Sequence, residues 1–382
     1  MTNRPHQEQT SGVQRSVLPH VPAAIRALAP YQPGKPIEEL ARERGLDPDR
    51  IIKLASNENP LGMSPKAMAA VGAALADGAR YPDGNGFALK AALAERFGLA
   101  PERIVLGNGS NDVLELVARL VLQPGTSAVF SQYAFAVYPL VTQALGARAI
   151  VVPARDYGHD LDAIAEAIAE DTRIVFVANP NNPTGTFVPG EVIERFLHRV
   201  PADVLVVLDE AYTEYLEPAD RYDSFAWLER FPNLVVTRTF SKAYGLASLR
   251  VGYAVADPAV ADAMNRIRQP FNVNSFALAA ATAALADTRF LAESVAVNRE
   301  GLRQLTEGFE ALGLSYLPSK GNFVAVRVGD AARVNDALLD RGIIVRPIAG
   351  YGMPQWLRVS VGLPEENAQF LAALASILKE RS

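Results

Sequence analysis

The stretch Thr239-Phe-Ser241-Lys242-Ala-Tyr-Gly-Leu-Ala-Ser-Leu-Arg250 decides the reading of this chain. It sets one lysine among small residues, with a serine directly before it and an arginine eight positions on. It follows an apolar run, Asn233–Arg238, that reads as a strand. The lysine therefore stands in the loop beyond the carboxyl end of a strand, where open α/β sheets bind ligands. A solvated surface lysine is the ordinary reading of most lysines, but Ser241, Ala243 and Gly245 would let a flat ligand approach closely. A lysine amine is a poor nucleophile at neutral pH unless its surroundings lower its pKa or hold it as a covalent imine.

Working outward, short apolar runs alternate with helical patterns on both sides of this loop. Strands are expected near 103–107, 127–131, 147–152, 173–178, 203–208, 234–238 and 250–255. Helices are expected near 111–122, 134–145, 160–169 and 189–199. This alternation predicts a mostly parallel sheet of seven strands covered by helices on both faces. Residues 275–312 read as largely helical and lead to strands at 322–328, 343–346 and 356–361 and helices at 331–341 and 365–379. These predict a smaller α+β domain completed by the N-terminal region. The expected division is an arm at 1–35, of which 1–16 lack order, and the N-terminal part of the small domain with a substrate loop at 36–79. A large domain follows at 80–288, and the rest of the small domain at 289–382. Residues 17–35 hold a short apolar helix and a turn-rich Tyr31-Gln-Pro-Gly-Lys-Pro36 segment.

Composition narrows the chemistry. With 382 residues, two packed domains are the default, and 49% hydrophobic with 21% charged residues describes a globular chain. A net charge of -5 gives no electrostatic reason to bind nucleic acid or an acidic membrane. No apolar run approaches the roughly 20 residues of a membrane span, and the polar residues 1–16 do not read as a signal peptide. The chain has no cysteine, which removes disulfides and thiolate chemistry and fits a reducing cytoplasm. His6, His20, His159 and His198 are scattered and form no ligand motif, so no metal site is expected.

Other strand ends carry further candidates. Asp209 follows Val204-Leu-Val-Val-Leu208, and Tyr212 comes three residues later. Asn179-Pro-Asn-Asn182-Pro-Thr-Gly185 follows the strand Arg173–Ala178; it is a turn signal in any protein, but here it falls at the same sheet edge. Leu106-Gly-Asn-Gly-Ser110-Asn111-Asp112 joins a strand to a helix, a start whose backbone amides bind phosphate. A dinucleotide fold would place a third glycine where Asp112 stands and an acid at the end of the next strand, which instead ends in Phe130-Ser-Gln. A phosphate cup of Ser110, Asn111, Ser241 and Arg250 fits better, because the planar fork of arginine holds phosphate through two hydrogen bonds.

Taken together, these motifs resemble the pyridoxal-phosphate-dependent aminotransferases of fold type I, and within them the histidinol-phosphate aminotransferases. The resemblance runs from about Pro33 to the C-terminus. It implies pyridoxal 5'-phosphate as cofactor, held as a Schiff base on Lys242. Asp209 would pair with the pyridine nitrogen, keeping it protonated so that the ring serves as an electron sink. Tyr212 and Asn182 would contact the phenolic oxygen. Tyr133 would stack on the ring, although this chain has Ser131-Gln-Tyr133 where the family more often has Pro-Thr-Tyr; Phe135 and Tyr138 are the other candidates. Arg80-Tyr81-Pro-Asp83 resembles the segment that reaches across a homodimer to the neighbouring cofactor's phosphate. Ala55-Ser-Asn-Glu-Asn-Pro-Leu-Gly62 resembles the substrate-side loop, with Asn59 as the expected contact. Arg358 resembles the arginine that grips the substrate anion, though Leu357 and Val359 beside it also suit an arginine turned to solvent. Arg346 is a second anion candidate. The implied reaction moves an amino group between glutamate and imidazole-acetol phosphate in histidine biosynthesis. Rival readings are an aromatic amino acid aminotransferase, a phosphothreonine-type decarboxylase, and the cofactor-sensing domain of a transcription regulator. The last needs a basic DNA-binding module, for which residues 1–35 are too short.

Overall fold

The computed structural model describes residues 20–31 and 33–380. The expected lack of order at 1–16 lies outside the described residues. Thirteen strands are described: β1 (Ile52–Lys53), β2 (Ile104–Gly107), β3 (Ser127–Ser131), β4 (Arg148–Val152), β5 (Thr172–Ala178), β6 (Leu205–Asp209), β7 (Leu234–Thr239), β8 (Gly252–Ala256), β9 (Tyr316–Leu317), β10 (Phe323–Arg327), β11 (Ile343–Ile344), β12 (Arg346–Pro347) and β13 (Trp356–Ser360).

Seven of them form one sheet in the order β2-β8-β7-β6-β5-β3-β4. β4, β3, β5, β6 and β7 pair in parallel, whereas β8 runs antiparallel to both its neighbours. Successive residues of the central strands enter different cores. Val175, Val177, Val206, Leu208 and Val236 pack on one face. Ile174, Phe176, Val207 and Val235 pack on the other. That is the period-two alternation of a strand with helices over both faces. Burying each such Val or Leu side chain stabilises the fold by roughly 1.5–3 kcal/mol. β3 connects outward to β4 and the chain then returns to β5 on the other side of β3, so the direction of strand order reverses between β3 and β5. The crevice beyond the carboxyl ends at such a reversal is where ligands bind in this architecture.

The smaller sheet, β12-β13-β10-β9, is antiparallel throughout. Its core takes Val324 and Val326 of β10 and Leu357 and Val359 of β13, with Leu305 and Phe309 of the helix Thr288–Ala311 and Phe370 and Leu374 of the helix Pro364–Lys379. The N-terminal region joins this part of the molecule through the parallel pair β1–β11. The helix Ile37–Arg44 adds Leu40 against Leu339 and Ile344. Sequence pattern gave no sign of β1 or β9, which are two residues each and too short for a period to show. The apolar helix expected within 17–35 is a single turn, Ala23–Arg26.

Candidate active site

Three strand ends and one helix start converge on a cavity of about 200 Å³. β6 ends in Asp209, β5 runs into Asn179–Asn182, β7 runs into Ser241 and Lys242, and β2 leads to the helix Ser110–Val121. Lys242 lines the cavity, and its Nζ donates to the carbonyl of Ser56 at 3.0 Å. Burial, reinforced by the nearby Arg358 cation, pulls its amine down to about 8. A group titrating there has an unprotonated fraction at neutral pH, which an exposed lysine lacks. The loop behind it is tight. A Cβ on Gly245, whose φ is 71°, would lie 1.9 Å from the Gly62 carbonyl oxygen, so only glycine closes this turn.

Asp209 is 4% exposed. Its Oδ2 accepts from the Tyr138 hydroxyl at 2.8 Å and its Oδ1 from Thr237 Oγ1 at 3.2 Å. Burial pushes the carboxyl up to about 6 against the opposing pull of these hydroxyls. Its hydrogen-bond partners are neutral, so a cation arriving in the cavity would meet an uncompensated carboxylate. Tyr212, on the turn after β6, is buried and accepts from Asn57 Nδ2 at 2.9 Å; burial pushes its phenol up to about 12.

Ser110 and Asn111 open the helix Ser110–Val121, with Ser241 and Arg250 beside them around the cavity. Arg250 takes a left-handed φ of 59°, and its NH1 donates to Ser241 Oγ at 3.4 Å and to the Ala247 carbonyl at 3.0 Å. A Cβ on Gly109 would sit 2.5 Å from the Arg250 guanidinium, so this glycine lets the fork lie across the helix start. Helix amides, a hydroxyl and a guanidinium together make an anion cup.

Opposite the cup stands Arg358, 7% exposed. Its NH1 donates to Asn182 Oδ1 at 2.7 Å and its NH2 to the Ala55 carbonyl at 2.6 Å, while its Nε has no partner. The guanidinium is therefore buried on neutral acceptors with one donor unused, a costly arrangement that an incoming anion relieves. Leu357 and Val359 enter the small core, and Arg358 takes the opposite face of β13, which is also covered. The outward arginine that alternation allowed is not what forms. Arg346 also lines the cavity, its guanidinium 5.6 Å from the centre of the Tyr31 ring.

Two residues expected at the cavity are elsewhere. Asn59 is a structural residue: its Nδ2 donates to the Ala243 carbonyl and Ser294 Oγ, its Oδ1 accepts from the Leu61 amide, and Asn57 lines the cavity instead. Tyr133 stacks on Tyr157 with ring centres 5.5 Å apart, and Phe135, two residues on, takes the place at the cavity wall. Tyr81, expected at the site of a neighbouring chain, is 83% exposed and stacks on Phe271, outside the cavity of its own chain. Tyr31, Tyr351 and Asn57 at the cavity went unassigned from sequence. Tyr138, one of the alternative ring partners, is buried, donates to Asp209 and stacks on Phe176.

Residues 49–374 match the family model of class I and II aminotransferases. The chain is 62% identical over 372 residues to histidinol-phosphate aminotransferase 1 of Cupriavidus pinatubonensis, covering 96% of this chain and 99% of that one. The chain belongs to the histidinol-phosphate aminotransferase family. A second such enzyme, from Ralstonia nicotianae, is 61% identical over 363 residues, with 94% and 97% of the two chains covered. The histidinol-phosphate aminotransferase of Sinorhizobium meliloti, solved with pyridoxal-5'-phosphate, superposes with a TM-score of 0.85 at 32% identity, covering 94% of this chain and 98% of that one. Pyridoxal 5'-phosphate is the cofactor of this aminotransferase family, and the cavity suits it. The anion cup matches a phosphate, the buried Asp209 has neutral side-chain hydrogen-bond partners, and the amine of Lys242 is lowered toward neutrality.

Proposed function

We propose that this protein transfers an amino group between glutamate and imidazole-acetol phosphate, yielding 2-oxoglutarate and histidinol phosphate. The observation that carries the substrate assignment is Arg358, buried without an acidic partner and with Nε unpaired at the cavity wall. Its fork accepts a carboxylate or a phosphate alike. Glutamate and histidinol phosphate must share one cavity in alternating half-reactions, one presenting a carboxylate beside its amine and the other a phosphate. Arg346 is the second cation for those groups, and the Tyr31 ring beside it offers a face to a flat heterocycle.

Bound pyridoxal 5'-phosphate supplies an aldehyde carbon for covalent attachment of an amine and a ring that takes up the electron pair left when the substrate α-proton departs. Ser110, Asn111, Ser241 and Arg250 hold the phosphate. Asp209 keeps the ring nitrogen protonated. Tyr212 and Asn182 hold the ring oxygen; Asn182 Oδ1 is already engaged by Arg358, which leaves its amide nitrogen for that contact. Phe135, at the cavity wall, would lie against the ring face. Lys242 is the amine that would hold the cofactor, and the same amine, when free, would serve as the base and acid for the substrate α-proton.

Donor ranking tests the substrate. Equal amounts of histidinol phosphate, glutamate, phenylalanine and tyrosine are mixed separately with holoenzyme, and the loss of the cofactor's visible band is timed. Histidinol phosphate and glutamate are expected to react fastest, with the aromatic amino acids at least about tenfold slower, because they carry neither a phosphate nor a second carboxylate for the two arginines. Fast reaction of phenylalanine with no response to histidinol phosphate would make this an aromatic aminotransferase.

We further propose a homodimer in which Tyr81 completes the neighbouring site. Tyr81 stacks on Phe271, and both are exposed, an apolar pair suited to contact with a second copy of the chain. Refolding a Lys242→Ala chain with a Tyr81→Phe chain gives hybrids with one site carrying both lesions and one carrying neither. Activity of the mixture is expected to rise above the mean of the two parents; activity at that mean would show that each Tyr81 serves its own chain. The reducing cytoplasm is the expected compartment for this cysteine-free chain. Among the described residues no helix is long and apolar enough to cross a membrane.

A further inference from the structure

Asn57 lies on the segment after β1, is 1% exposed, and adopts a left-handed φ of 55°. Asparagine is among the few side chains that tolerate this conformation. The Asn322 amide fixes the turn by donating to the Asn57 carbonyl at 3.0 Å. The hydrogen bonds of the Asn57 side chain then run in one direction only. The backbone N–H of Asn57 donates to Ser360 Oγ at 2.8 Å, so that oxygen is an acceptor. The Ser360 hydroxyl hydrogen passes on to Asn57 Oδ1 at 2.9 Å. Turning the amide over would leave the hydrogen of the buried Ser360 hydroxyl without the Oδ1 acceptor it has here, so this orientation is the one that satisfies both groups, and Nδ2 faces Tyr212, donating to the phenol oxygen at 2.9 Å.

A phenol that accepts from an amide must direct its own hydrogen elsewhere. Tyr212 lines the cavity, and its ring is packed edge-on against Phe323 at 5.3 Å, which restricts its turning. We propose that Asn57, polarised by Ser360, is a positioning residue that fixes Tyr212 as a hydrogen-bond donor toward the ring oxygen of the bound cofactor. This rests on the assignment of Tyr212 to that oxygen. Ser360 stands two residues from Arg358 and on the same face of β13. One strand of the smaller sheet thus carries both the fork for the substrate anion and the hydroxyl that sets the polarity of the cofactor contact. It also separates the two asparagines of the Asn57-Glu58-Asn59 segment: Asn59 braces the Lys242 loop through the Ala243 carbonyl, and Asn57 orients the phenol.

The test compares holoenzymes by the pH midpoint of the cofactor's visible band together with kcat and KM. A donor on the ring oxygen favours its anionic form, so losing the donor moves the midpoint up. Tyr212→Phe is expected to raise it by about one unit. Asn57→Gly removes the amide while tolerating the left-handed backbone; it is expected to raise the midpoint by part of that amount and lower kcat about tenfold, the effect of one lost hydrogen bond, with KM for glutamate nearly unchanged. Asn57→Asp keeps shape and backbone preference but turns the amide donor into an acceptor that draws the phenol hydrogen away from the cavity. It is expected to be worse than glycine by both readouts, whereas a purely structural asparagine would tolerate aspartate better. Asn57→Gly added to Tyr212→Phe is expected to shift the midpoint no further, and Ser360→Thr, which keeps the hydroxyl, to leave it in place. An aspartate variant milder than glycine, or an additive double variant, would overturn the proposal. A Tyr212→Phe midpoint that does not move would remove Tyr212 from the ring oxygen, and the proposal with it.

Discussion

Replacing Lys242 with alanine is expected to lower turnover by at least about 10⁴-fold while leaving the fold intact. The expected size follows from the two roles proposed for this side chain, attachment of the cofactor and transfer of the α-proton, the latter alone contributing about 10²–10⁴-fold. The amine is specifically prepared for both. Burial and the Arg358 cation bring it to about 8, so unprotonated amine is available near neutrality. Among the described residues no other lysine lines the cavity, so none of them is placed to substitute. The lysine tail ends against the Ser56 carbonyl and not in a packed core, so its truncation opens no cavity among apolar side chains. Steady-state kinetics with glutamate checks the turnover, and a thermal melt of the same variant checks the fold. Residual turnover within tenfold of the parent would move the proton transfer to another group.

Asp209→Asn is expected to cost about 10²–10³-fold in kcat, the range seen when one preorganised electrostatic contact is removed from a site shielded from water. Asparagine keeps the shape and can still meet the Tyr138 and Thr237 hydroxyls that hold the carboxylate. What it removes is the charge. Burial pushes the Asp209 carboxyl up to about 6, and a protonated ring nitrogen beside it would favour the carboxylate form. The cofactor should therefore hold less tightly on the Asn variant, but the loss in binding should be smaller than the loss in kcat, since the phosphate cup is untouched. Equilibrium dialysis of the cofactor set against kcat separates the two. A variant with near-parental kcat would remove Asp209 from the reaction.

Much of this site is legible in the sequence because its residues adjoin strands. Asp209, Asn182, Ser241 and Lys242 each follow a run apolar enough to be buried on both faces, and a parallel sheet brings all such ends to one edge. The large sheet was legible for the same reason. What sequence hid depends on turns and on contacts between distant segments. Asn57 and Asn59 share one short motif, and only the left-handed turn at Asn57 and the reach of Ser360, 303 positions away, decide which one meets the cavity. Tyr133 and Phe135 are separated by the path of a loop, and Tyr31 comes to the cavity from an arm with a single turn of helix. Arg358 was ambiguous because alternation distinguishes inside from outside only when one face of a sheet meets water, and β13 is covered on both.

The central claim is that the cavity at the carboxyl edge of the large sheet is the catalytic centre and that Lys242 is its amine. Borohydride reduction of the holoenzyme, followed by proteolysis and peptide mapping, tests it most directly. The account predicts one pyridoxyl group per chain, on Lys242 in the peptide that spans Ser241 to Arg250. Label on any other lysine, or holoenzyme that reduction leaves unlabelled, would contradict it.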